Sequence, residues 1–167
     1  APSGTGKTTL LNLIGNILKP AQGEIETDFK TGIAYVFQEP ELLSQLTIAE
    51  NIALPLATYL KKEIAFEQAI SILQKMELGG FENRFPNELS FGQQQRAAIA
   101  RALTYPSPLL LMDELFKGLD EALSRRIIKR IRERQTENGQ TILFTSHNPG
   151  ELRLFADKTV RLDPTSH

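Results

Sequence analysis

The 167-residue sequence balances 19 basic against 20 acidic residues for a formal net charge of −1, and 41% of it is apolar. A chain of that size and composition can bury a hydrophobic core, and its near-neutral charge excludes a sequence-wide field drawing it to nucleic acid or anionic lipid. It has no cysteine, which removes disulfides, thiolate metal sites and cysteine nucleophiles together and fits a reducing compartment.

The chain opens on small and glycine-rich residues where a secretory signal would need an apolar stretch. Residues 12–18 continue a helix opened by this loop and stopped by Pro20. Residues 23–27 and 32–37 read as strands, and 47–54 and 61–77 as helices. Gly79, Gly80 and Pro86 make 78–89 a loop, after which 90–103 reads as a helix. Residues 109–112 form an apolar strand of the kind buried on both faces, 121–134 a charged helix, 141–145 another buried strand and 158–162 a last strand. Apolar runs such as 108–112 fall far short of the ~20 residues needed to span a bilayer, so membrane association is expected to go through another protein. The alternation predicts an α/β fold with a mainly parallel sheet, one domain over 1–167 with a helical subdomain at about 45–100.

Three constellations carry chemistry. Ala1, Pro2, Ser3, Gly4, Thr5, Gly6, Lys7 and Thr8 match the phosphate-binding pattern G-x-x-x-x-G-K-[ST], except that Ala1 replaces the first glycine. In such a loop backbone N–H groups and a helix N-terminus converge on phosphate, the lysine reaches the terminal phosphates and the hydroxyl ligates a divalent cation. A merely flexible glycine-rich stretch is the plain alternative. Second, Asp113 and Glu114 follow the apolar strand 109–112, which sets both carboxylates at the carboxyl edge of a parallel sheet, where ligands bind. There Asp113 would hold Mg²⁺ through water and Glu114 would polarise an attacking water, although a solvated turn would read the same in isolation. Third, Ser90 is placed as the N-cap of the helix 90–103, leaving first-turn N–H groups for an anion. An ordinary capped amphipathic helix is the alternative there.

In order along the chain, residues 1–9, Gln38, residues 89–93, residues 109–114, the run Gly118-Leu119-Asp120 and the pair Ser146-His147 resemble the Walker A, Q-loop, signature, Walker B, D-loop and H-loop of the ATP-binding cassette (ABC) ATPases. The likeness covers essentially the whole chain, and residues 35–54 look most like importers of the nitrate, sulfonate and taurine type. What it implies is a P-loop nucleoside triphosphatase fold and a head-to-tail homodimer or cassette heterodimer on the cytoplasmic face of a membrane. There it would serve a separate permease and a solute-binding protein, with no nucleic acid partner. Each ATP would lie between the phosphate loop of one subunit and the signature helix of the other. On that carry-over Ser3, Gly4, Thr5, Gly6, Lys7, Thr8 and Thr9 bind the nucleotide, and Thr8, Gln38 and Asp113 organise Mg²⁺ and water. Glu114 is the catalytic base and His147 contacts the γ-phosphate. Ser90, Gly92 and Gln93 serve the partner's nucleotide, and Asp120 communicates across the interface.

The resemblance also marks departures. The family's β-rich subdomain with its adenine-stacking aromatic residue, and the strand feeding the phosphate loop, have no counterpart in these 167 residues. A longer reading frame is therefore expected, with weak nucleotide binding by this stretch alone. Ala1, Phe91, Leu115 and Lys117 each replace a usual residue. An ATPase powering import is the leading expectation. A weakly hydrolysing, dimerising nucleotide-binding subunit is the alternative, and a cassette acting on ribosomes or DNA is disfavoured by the balanced charge.

Overall fold

The computed structural model describes residues 6–26, 32–116 and 118–162. Strands β1 (Ala34–Val36), β2 (Leu109–Asp113) and β3 (Thr141–Thr145) form one parallel sheet in the order β1-β2-β3. The register pairs Val36 with Met112 and Asp113 with Thr145, so all three carboxyl ends finish along one edge. The run Leu109-Leu110-Leu111-Met112 carries no polar side chain, and β2 is accordingly the central strand with every residue buried.

Parallel neighbours need long crossovers. Here α2 (Ile48–Ala53), α3 (Lys62–Lys75) and α4 (Phe91–Thr104) connect β1 to β2, and α5 (Glu121–Asn138) connects β2 to β3. Helix α1 (Lys7–Ile14) precedes the sheet in the chain and α6 (Pro149–Phe155) follows it. Short 3₁₀ turns lie at Leu56–Thr58 and Pro86–Glu88. Helix starts follow local chemistry: Thr47 and Glu50 close a capping box on α2, and Asp120 caps α5 by accepting from Leu123 N–H at 2.9 Å. Such caps are each worth roughly 1 kcal/mol.

The main core lies between α2–α5 and the sheet face carrying Ala34, Leu110 and Met112. The buried stretch Ala97-Ala98-Ile99-Ala100 keeps α4 slim enough to pack on both α2 and β1. A smaller cluster of Leu11, Leu109 and Leu111 fastens α1 to the opposite face. Between β1 and α2 the chain is stapled by two polar side chains. Asn51, fully buried, donates to the carbonyls of Leu43, Leu46 and Thr47 and accepts from Leu43 N–H. Arg101 donates to the carbonyls of Pro40 and Glu41.

Four sequence expectations change. Residues 23–26 form no strand, and neither do 158–162, where Val160 is 85% exposed. Strand structure exists through ladder pairing, and among the described residues nothing pairs with either segment. Helix α1 starts at Lys7 and ends at Ile14, so it does not run through 12–18. Gly15 approaches the sheet so closely that a Cβ there would lie 3.2 Å from both Leu111 Cδ1 and Tyr35 Cδ2, and Asn16 takes φ 58. The stop is therefore made by packing, upstream of Pro20. Finally, β3 lies at the edge of the sheet among the described residues and is only half buried: Ile142 and Phe144 pack on the core while Leu143 is 37% exposed.

Candidate functional site at the carboxyl edge of the sheet

Three elements bring side chains to the edge where the strands end. Gly6 is the N-cap of α1 at φ 78, a left-handed conformation that glycine adopts without a Cβ penalty, and it starts the helix at Lys7. Thr8, in the first turn of α1, donates its hydroxyl to Asp113 Oδ2 at 2.6 Å across 105 residues of sequence. Asp113 ends β2 and is only 2% exposed. Its other oxygen, Oδ1, accepts the hydroxyl of Thr145 at 2.5 Å. A buried carboxylate is costly unless hydrogen-bonded, and the two hydroxyls supply that compensation.

Glu114 leaves the strand at φ 48, left-handed for a residue with a Cβ, and its N–H donates to Thr145 Oγ1 at 3.1 Å. Its carboxylate Oε1 meets Nε2 of His147, pairing the residue after β2 with the turn after β3. That turn is held from below: Ser146 Oγ bonds Glu151 and accepts Asn148 N–H at 2.9 Å, while Asn148 caps α6 through Gly150 N–H. Lys7 is half buried and lines a groove of about 680 Å³ beside β3 with Leu10, Leu143 and Thr145.

The remaining candidates sit as follows. Thr9 is exposed in the first turn of α1. Gln38 is half buried in the bend two residues past β1, and among the described residues it is hydrogen-bonded to none of this network. Ser3, Gly4 and Thr5 lie outside the described residues, as do Ala1 and Lys117.

At α4 the structure refines the expected anion site. Ser90 and Gln93 form a capping box: Gln93 N–H donates to Ser90 Oγ and Ser90 N–H to Gln93 Oε1. Gln93 closes the cap through its backbone N–H and its side-chain oxygen, and the N–H groups of Phe91 and Gly92 have no acceptor among the described residues. Gly92 packs against Gly118 and Leu119, and the Phe91 ring lies against Gly118, so the bulky residue of the signature segment turns toward its own chain. Asp120 is occupied by its capping role on α5. Leu115 is fully buried in the main core, so an apolar side chain suits that position.

Thr145 is the contributor that motif reading passed over. The available signal was a hydroxyl following the apolar run Ile142-Leu143-Phe144, and only the Asp113–Thr145 register gives it meaning. Tyr35 is a second: its hydroxyl donates to Asn12 Oδ1 at 3.0 Å, tying β1 to α1. Burial, and then the negative charge of Asp113, push the Tyr35 phenol up to about 12.

Chemically, the Thr8 and Asp113 oxygens at 2.6 Å are a hard-donor pair suited to a small divalent cation. Among the described residues no group of three or more His, Cys, Asp or Glu side chains gathers into a protein cage. Among the described residues no helix is long and apolar enough to cross a membrane.

Comparison with known proteins bears on this arrangement. Residues 2–117 match the family model described as ABC transporter. The thiamine import ATP-binding protein ThiQ of Shigella flexneri is 37% identical over 95% of this chain and 73% of its own length. The sulfate/thiosulfate import ATP-binding protein CysA 1 of Agrobacterium fabrum is 35% identical over 95% of this chain and 50% of its own. Among solved structures, the dimeric ATP-binding cassette MJ0796 in a post-hydrolysis state with ADP and Pi superposes with a TM-score of 0.81 at 34% identity, covering 92% of this chain and 75% of that one. Another dimeric structure of MJ0796, described as a bacterial ABC transporter cassette, gives 0.82 at the same identity and coverage.

Proposed function

The chain belongs to the ABC transporter ATPases, with their P-loop fold and ATP-hydrolysing cassette, and on that premise we propose that it powers solute import through a separate permease. The observation that carries the reading is the continuous network Thr8–Asp113–Thr145–Glu114–His147 at the carboxyl edge of the sheet. It joins one metal-binding pair to one carboxylate suited to base catalysis.

In this reading the amides around Gly6 and the Lys7 ammonium hold the β- and γ-phosphates, helped by the positive end of α1. Thr8 and Asp113 would hold Mg²⁺, which would supply charge neutralisation at the phosphates. Glu114 accepts a hydrogen bond from the attacking water, aligns it on the γ-phosphorus and takes its proton. His147, paired with Glu114 before substrate arrives, keeps that carboxylate oriented and offers its imidazole to the γ-phosphate. Phosphoryl transfer to water needs positioning and charge compensation more than covalent chemistry, and these groups supply both.

A second half-site at Ser90, Phe91 and Gly92 would serve the nucleotide of a partner cassette, a reading supported by the dimeric neighbour structures. The N–H groups of Phe91 and Gly92 are the donors left for it. Residues about 45–100 act as the helical subdomain, and Gln38 passes the presence of the γ-phosphate to it along 38–47, the stretch that Arg101 and Asn51 staple to α4 and α2. The permease would dock at 39–46, peripherally from the cytoplasmic face. The names of the thiamine and sulfate/thiosulfate relatives support import. The finer likeness to nitrate, sulfonate and taurine importers rests on residues 35–54 and is tested by the genes flanking this one.

Steady-state ATP hydrolysis by the protein beside its Glu114→Gln variant tests the catalytic reading. The expected loss is about a hundredfold or more with nucleotide binding retained. Equal rates would instead favour a subunit that binds nucleotide and acts by dimerisation.

A further inference from the structure

We propose that Thr145 is a positioning residue that sets the metal-holding carboxylate and the catalytic carboxylate together through one hydroxyl. The inference rests on the ATPase reading of this site but concerns a residue outside its sequence motifs.

A hydroxyl has one proton to give and lone pairs to receive with. At Thr145 the proton is committed to Asp113 Oδ1 at 2.5 Å, so the Glu114 N–H at 3.1 Å must meet a lone pair, and the rotor has a single orientation. Thr8 holds the other oxygen of Asp113 at 2.6 Å, so the carboxylate is gripped at both ends and its plane is set. The second grip is the one that Thr145 supplies. Thr145 can supply it because β3 pairs with β2 in a register that puts Thr145 opposite Asp113, which directs both side chains to one face of the sheet.

The bond to Glu114 has a different consequence. At φ 48 a residue with a Cβ sits in a conformation that costs free energy and persists only where surrounding contacts hold it. The Thr145 bond is the contact on its N–H. Release of that bond lets Glu114 relax toward ordinary φ, which swings its side chain away from His147. Ser146 cannot take over, because its hydroxyl is engaged by Glu151 and by Asn148 N–H.

Valine has the shape of threonine without the hydroxyl, and serine has the hydroxyl without the methyl, so the pair separates packing from bonding. Three properties of the wild-type, Thr145→Val and Thr145→Ser proteins are compared: ATP turnover, the Mg²⁺ concentration that half-saturates binding of a fluorescent ATP analogue, and thermal unfolding. Thr145→Val is expected to lower kcat about tenfold or more with a smaller change in KM, and to raise the half-saturating Mg²⁺ in the binding assay several-fold. Metal-free nucleotide binding is expected to stay near wild type, and Thr145→Ser to restore both altered quantities. Wild-type turnover and Mg²⁺ dependence in Thr145→Val would overturn the proposal, as would Thr145→Ser impaired as much as Thr145→Val. If Thr145→Val is unfolded at the assay temperature, Thr145→Cys replaces it: loss with cysteine but not serine supports the bond, and equal behaviour overturns it. The Mg²⁺ titration needs no turnover, so a Glu114→Gln result that removed the ATPase reading would still leave the role of Thr145 measurable.

Discussion

Gly92 and Gly118 meet backbone to backbone, so closely that a Cβ on Gly92 would lie 3.2 Å from the Gly118 carbonyl oxygen. This contact locks the start of α4 to the turn that follows β2, and therefore fixes where the open N–H groups of α4 stand relative to Asp113 and Glu114. Gly118 itself sits at φ 80, and a Cβ there would meet the Phe91 ring at 3.1 Å. Gly118→Ala is expected to cost about 1–2 kcal/mol for the left-handed backbone, plus whatever the ring must yield. Combining it with Phe91→Ala in denaturant unfolding should show coupling, the double variant being less destabilised than the sum of the singles. Strict additivity would mean that the ring and the glycine do not touch.

The stretch from Glu41 to Thr47 has little regular structure of its own, and Asn51 replaces the missing backbone bonds with four side-chain bonds from a fully buried position. Asn51→Ala removes all four and strands the Leu46 carbonyl and the Leu43 N–H, while the Leu43 carbonyl keeps its bond from Leu46 N–H. The expected destabilisation is about 2–4 kcal/mol. Amide exchange should quicken first in 41–47. Uniform quickening across the chain would show that Asn51 supports the fold as a whole and not this segment.

Tyr35 offers a spectroscopic reading of the charge at the sheet edge. Its phenol is pushed up to about 12 by burial and by Asp113, from the usual value near 10. The folded state therefore holds this proton more tightly than the unfolded chain does. The resulting stability is complete below pH ~10 and is lost as pH rises toward the folded value. Ultraviolet titration should show a tyrosine ionising last in the wild type and missing in Tyr35→Phe, and Asp113→Asn should bring that step to lower pH. An unchanged step in Asp113→Asn would remove the charge of Asp113 as a cause.

What could be read without coordinates was local chemistry. The leucine run ending in Asp113 and Glu114 declares a buried central strand by the absence of any polar side chain, and Ser90 declares a helix start by its own short-range bond. The glycine at position 6 and the lysine and threonines after it announce a phosphate-binding helix start because those residue types suit that backbone and that ligand. The folded arrangement decided what lies between distant segments: that Thr8 reaches Asp113 across 105 residues, that Thr145, outside the motifs, grips the other oxygen of that carboxylate, and that Glu114 stands at φ 48 against His147. It also decided that Gln93 closes a capping box with Ser90, and that 23–26 and 158–162, strand-like in composition, stay unpaired among the described residues. The division has a physical cause. Caps and periodicity act within a turn or two of the chain, whereas a ladder partner or a side-chain bond across strands exists only once the register of the sheet has been set.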